Sequence, residues 1–114
     1  MANTFKLVTK ANVTSSDVIY TPDSVTTVLL GLILGNTTTS QVTATVSLAS
    51  STSSRAGDNN EDNQTVELIT NAPIPAGGSL ELLAGNKVVM ENNDALSVSA
   101  SGSTDVALSI MEIS

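Results

Sequence analysis

Along much of this chain apolar and polar residues alternate one for one. In "QVTATVSL", Val42, Ala44, Val46 and Leu48 fall on one side, while Thr43, Thr45 and Ser47 fall on the other. That is the period of a strand with one buried face. "ALSVSAS" repeats the pattern, with Leu96, Val98 and Ala100 set against Ser97, Ser99 and Ser101. In "VALSIMEI" one face carries Val106, Leu108 and Ile110. The other carries Ala107, Ser109, Met111 and Ile113, which predicts a last strand covered in part on both sides. "VTTVLLGLIL" becomes continuously apolar from Val28; it is short, holds Gly31, and lies between Pro22 and "GNTTTS". Those features predict a fully buried central strand rather than a helix, with Gly31 either a bulge or a point of close approach.

Further strands are predicted at 4–9, 18–20, 65–72, 79–83 and 87–91, separated by the turn signals "TPDS", "GNTT", "PIPAGG", "AGN" and "ENND". About eight short strands with no helical period predict an all-β chain. The expected architecture is a single-domain antiparallel β-sandwich, jelly-roll-like, over residues 1–114. The one long loop, 50–64, reads "SSTSSRAGDNNEDNQ" and is a functional excursion or a flexible surface tip.

Composition agrees with this. The 114 residues are 40% hydrophobic and only 13% charged, with Ser, Thr and Asn filling turns and alternate strand positions. Net charge is −7, and the cations Lys6, Lys10, Arg55 and Lys87 are too scattered to track a phosphate backbone, so no nucleic-acid partner is expected. The longest apolar run is too short to span a bilayer, and the N-terminus has no signal-peptide core, so no membrane partner or classical export is expected.

Candidate chemistry is sparse. The chain has no Cys and no His, which removes the common nucleophile–base pairs and thiolate metal sites. A carboxylate pair of glycosidase type could be drawn from Glu67, Glu81, Glu91, Asp94, Asp105 and Glu112. Sugar platforms are scarce, Phe5 and Tyr20 being the only aromatics, so no catalytic residue is assigned and no enzyme is expected. Asp58, Asn60 and Asp62 match the first, third and fifth places of a Ca²⁺ loop, but Asn63 replaces the Gly and Ile69 the bidentate Glu. They are carried as a candidate metal set, and no cofactor is assigned. The shortage of aromatics also argues against a small hot-spot interface, leaving broad aliphatic contact, strand addition or many copies acting together.

The order "VIYTPDSVTTVLLGLILGNTTTSQVTATVSL" followed by "VELITNAPIPAGGSLELLAGNKVVMENNDALSVSASGSTDVALSIMEIS" resembles small structural proteins of tailed bacteriophages, including marine cyanophages. The matching blocks are 20–22, 28–36, 42–48, 71–83, 93–101 and 111–114; Asp23 departs from the smaller residue usual at its place. The resemblance implies a non-enzymatic virion protein, made in the host cytoplasm. The leading expectation is a capsid decoration or cement protein that self-associates, a trimer being one form, and docks on the major capsid protein or another virion protein. Phe5, Leu7 and Val8 are the candidate interface residues, placed on an N-terminal arm. A neck, tail, baseplate or fibre-attachment component is the alternative within the class. A receptor- or glycan-binding module using the 50–64 loop is the alternative outside it.

Overall fold

The structure, a computed structural model, describes residues 3–51, 64–83 and 87–113. Among these it forms nine strands and no helix: β1 (Asn3–Val13), β2 (Ser16–Tyr20), β3 (Thr26–Asn36), β4 (Val42–Ala49), β5 (Thr65–Ile74), β6 (Ser79–Leu82), β7 (Val88–Met90), β8 (Ala95–Ala100) and β9 (Thr104–Ile113). One sheet, sheet A, runs β1-β9-β3-β6, with β7 also pairing β3; the other, sheet B, runs β2-β8-β4-β5. All pairings are antiparallel. With β7 set aside, this interleaving of strands from both ends of the chain is the order of a jelly roll. The all-β sandwich expectation holds, with one strand more than the eight foreseen.

The core lies between the sheets and is aliphatic. Sheet A supplies Val13, Leu29, Leu32, Leu34, Val106, Leu108 and Ile110, and sheet B supplies Ile19, Val42, Val46, Ile74, Leu96 and Val98, all buried. Alternation accounts for β4 and β8, where Val42, Ala44 and Val46, and Leu96, Val98 and Ala100, point inward. In β3 the period breaks: Leu29 and Leu32 are three apart, yet both are buried. The register explains it, since Leu29 pairs Ile110 while Gly31 pairs Ser109, leaving one extra residue on β3. Of the two roles open to Gly31 the structure selects the bulge, because a Cβ there would meet nothing within 4 Å.

Two turns use positive φ. Gly77 (φ 67) occupies the third place of the turn closed by Gly78 N–H donating to the Pro75 carbonyl at 2.9 Å. Asn93 (φ 72) takes the same place where Asp94 N–H donates to the Glu91 carbonyl at 3.1 Å. Buried polar groups are satisfied by connections between elements. The Asn36 amide donates to the carbonyls of Ser40, Ile74 and Pro75 at 2.8–3.1 Å, and its oxygen accepts from Thr38 N–H and Oγ1 at 2.8 Å. One side chain thereby ties the end of β3 to the end of β5 across the two sheets.

Candidate functional site

Directly opposed residues in antiparallel strands share a face, so the register sorts the outward side chains of each sheet. On sheet B, Thr45 pairs Ser99 and Ser47 pairs both Ser97 and Glu67; Val18 pairs Ser97 from β2. That outer face is hydroxyl-rich. On sheet A, Phe5 pairs Met111, which pairs Val28, which pairs Val89, giving one apolar row across β1, β9, β3 and β7. The neighbouring rows are Leu7–Ser109–Gly31 and Thr9–Ala107–Ile33–Glu81.

Of the six large hydrophobic residues exposed among the described residues, four lie on this face: Phe5 (71%), Leu7 (66%), Val89 (56%) and Ile33 (47%). Continuous apolarity in β3 was expected to mean burial on both sides. The strand is central in its sheet, but only its inner face is buried, and Ile33 stands open. The sequence pattern arises because both faces of β3 are apolar, and only one has a second layer over it.

The face has relief. Ser109 and Gly31 are small and floor a recess of about 240 Å³ walled by Leu7 and Ile33, with Glu81 and Leu82 at the β6 side. A second, shallower depression continues over Gly35 and Ala107 between Thr9 and Ile33. The first recess is smaller than the roughly 300–1,000 Å³ of small-ligand pockets and suits a side chain better than a substrate.

The expected interface trio divides. Phe5 and Leu7 share the outer face, whereas Val8 pairs Leu108, faces inward and packs half-buried against the core. Nor do they form a free arm: β1 holds unbroken register with β9 from Asn3 to Lys10. Alternation separates residue 8 from residues 5 and 7 once the segment is a strand.

At the end of the sandwich near Phe5 sits a polar cluster that the sequence did not flag as a unit. The Tyr20 hydroxyl donates to Glu112 Oε2 at 2.7 Å and lies 2.8 Å from Thr27 Oγ1, while Lys6 Nζ pairs Glu112 Oε1 at 2.8 Å. Burial is the main cause pushing the Tyr20 hydroxyl up to about 12; Thr27 opposes the shift and Glu112 adds to it. Lys6, then Tyr20, holds the Glu112 carboxyl below its ordinary value. The cluster joins β2 of sheet B to β1, β3 and β9 of sheet A, a structural tie with every partner accounted for.

Of the other acids flagged as a possible pair, Glu91 and Asp94 close one turn, and Glu67, Glu81 and Asp105 are spread over the molecule. Asp94 is buried, its oxygens accepting from Ser51 N–H at 3.1 Å and Glu91 N–H at 2.9 Å. Asp105 accepts from Asn12 N–H at 3.0 Å, Glu67 accepts from the Thr70 hydroxyl, and Glu81 stands at the β6 rim of sheet A. No group of three or more acidic side chains able to hold a metal occurs among the described residues. Asp58, Asn60 and Asp62, the candidate Ca²⁺ set, lie outside the described residues. Of the 50–64 loop the base is visible: Ser50 N–H donates to the Gln64 carbonyl at 2.7 Å, and the Ser51 hydroxyl donates to the Asn93 carbonyl at 2.6 Å. Among the described residues no helix is long and apolar enough to cross a membrane.

No family model matches the chain, and no curated protein sequence matches it. Among solved structures it is similar to a chain from Bacillus endospore appendages, described as disulfide-linked pili, at 10% identity and a TM-score of 0.39, over 96% of this chain and 85% of that one. It is also similar to a chain of the infectious bursal disease virus Gx strain, at 9% identity and a TM-score of 0.40. That match covers 98% of this chain and 37% of the viral one. At these scores neither likeness carries an argument.

Proposed function

We propose that the chain is a non-enzymatic structural protein of a tailed-phage virion, a jelly-roll sandwich that self-associates and sits on the capsid shell as decoration or cement. The observation that carries this is the sidedness of the sandwich. One outer face is hydroxyl-rich and suited to water; the other is apolar, uncharged at its centre and large enough for a protein contact. A catalyst would concentrate polar groups in a cleft, whereas the recess on sheet A is lined mainly by aliphatic and small residues. The whole-chain resemblance to phage structural proteins supplies the virion setting. Jelly rolls also serve as lectins, so the fold alone does not choose between shell and receptor.

Mass spectrometry of purified particles tests the proposal. The chain is expected among the virion proteins at a copy number in keeping with a shell lattice. A copy number of a single ring would move it to the neck or tail. Absence from particles and from expanded shells would overturn the virion assignment. Shortening the 50–64 loop is expected to leave host adsorption intact; selective loss of adsorption would favour receptor binding.

A further inference from the structure

We infer that the outer face of sheet A is the docking surface for a second copy of this chain, packed face to face about a two-fold axis with the Phe5–Leu7 ridge of each copy in the Gly31–Ser109 recess of the other. This rests on the self-associating structural role proposed above and names the surface that performs it.

Shape argues for a second copy. The ridge on β1 and the recess over β9 and β3 lie side by side on one patch, with Leu7 both the end of the ridge and a wall of the recess. A surface holding both a projection and its receptacle is self-complementary, which is the condition for an isologous contact. A Cβ added at Gly31 would meet nothing within 4 Å, so the floor of the recess is open to an incoming side chain.

Area argues the same way. Four strand widths at about 4.8 Å and ten residues at about 3.3 Å give a face of roughly 19 by 33 Å, or about 600 Å² in projection. With its relief added, this approaches the roughly 800 Å² that each partner gives to a stable interface. A single extended peptide would cover a band about 5 Å wide and leave most of the patch wet. Two sheets stacked about 10 Å apart would cover all of it.

Charge is the third consideration. Copies carrying −7 each repel, and they can approach most closely where acids are missing. Between Asp105 at one end and Ile113 at the other, the outward positions of β9 and their partners on β1 and β3 are Phe, Leu, Ile, Val, Met, Ala, Gly, Ser, Thr or Asn. The acids Glu81 and Asp105 stand at the rim of the recesses. Lys6 pairs with Ile110 on the opposite side, and Lys10 stands at the β1 rim of the second depression, beyond the apolar rows.

Sedimentation velocity of the full chain over a wide concentration range tests the inference. The expected mass is twice 11.6 kDa at high concentration, a dimer and not a trimer. Leu7→Glu puts a charge on the wall, and Gly31→Val fills the recess with a strand-favouring side chain. Each is expected to raise the dimer dissociation constant about tenfold or more. Val18→Glu, on the outer face of sheet B, is expected to leave it unchanged. Thermal melts of dilute protein check folding, and Phe5→Thr replaces Leu7→Glu should that variant not fold. A chain that stays monomeric or forms trimers overturns the inference, as does dissociation by Val18→Glu equal to that by Leu7→Glu. Gly31→Val with an unchanged or tighter dimer overturns the ridge-in-recess seating. A monomer whose binding to empty shells is lost on Leu7→Glu gives the face to the shell and also overturns it. Monomers found in virions would fail this inference alone; dimers absent from virions would fail the virion assignment alone.

Discussion

The outer faces of the two sheets are built on the same alternation and end in opposite chemistry. On sheet B the outward residues of β4 and β8 are Thr43, Thr45, Ser47, Ser97 and Ser99 with Ala49 and Ala95 at one end, so the sheet has one dry side and one wet side. On sheet A, β3 and β9 carry apolar residues on both sides, although the sandwich provides only one covering layer. Folding of one copy does not require Phe5, Leu7, Ile33 or Val89 to be apolar, since each stays about half exposed or more. The free edges differ in the same sense. β5 is broken by two register shifts and carries Pro73, devices that blunt an edge, whereas β1 keeps flat register over its first eight residues. Hydrophobic surface that folding leaves uncovered is where the proposed self-association would act.

The comparison breaks most severely if the shared core is cut. Leu108 is fully buried beneath the outer face of sheet A. Leu108→Ala is expected to cost about 2–5 kcal/mol of unfolding free energy, with both sheets lost in one transition in a denaturant titration. Separate transitions for the two sheets would show that they do not share one core.

Glu112 gives a smaller effect with a pH signature. Its carboxyl is held below the ordinary value of 4.5 by Lys6 and Tyr20. The stabilisation it adds is therefore complete above that value and is lost as pH falls through the lower value of the folded state. Glu112→Gln is expected to cost about 1–2 kcal/mol at neutral pH, and less as the solution is acidified. Tyr20 adds an alkaline limb: its hydroxyl is raised from 10.0 to about 12, so stability should decline as pH rises through that interval. Urea titrations across pH measure both; a Glu112→Gln penalty that does not shrink in acid would contradict the assignment.

The smallest effects sharpen the contrast between the faces. Ile33→Thr, on sheet A, should change the stability of dilute protein by less than about 0.5 kcal/mol, because the side chain is about half exposed and makes only outer-face contacts. Thr45→Val, on sheet B, should cost about 1 kcal/mol, because the Thr45 hydroxyl accepts from Asn71 N–H at 3.0 Å. Equal costs in thermal melts would mean that the faces are not differently committed.

Much of this fold was legible in the residues. The inward sets Val42, Ala44, Val46 and Leu96, Val98, Ala100 follow from period two alone, whereas a glycine inside an apolar run leaves bulge and close approach both open at Gly31 until the register is known. Continuous apolarity in β3 predicts burial on both faces, and Ile33 stands open because a pattern records hydrophobicity and not what covers it. Proximity in sequence groups residues 5, 7 and 8, and parity separates residue 8 only once β9 is known as the strand partner. The Tyr20–Glu112 contact spans 92 positions, and the bonds from Asn36 to the Ile74 and Pro75 carbonyls span 38 and 39, joining segments that only the jelly-roll crossings bring together. Such long-range ties leave no local signal beyond a Tyr beside a turn or an Asn after a Gly.

The most direct test of the central claim is a methyl NMR dilution series on the unmodified chain, with resonances followed residue by residue. The methyl groups of Leu7, Ile33, Val89 and Met111 should shift together with concentration, while those of Val18 and Val66 stay fixed. Concentration-independent shifts on sheet A, or equal movement at Val18, would contradict the claim that this face is the contact surface.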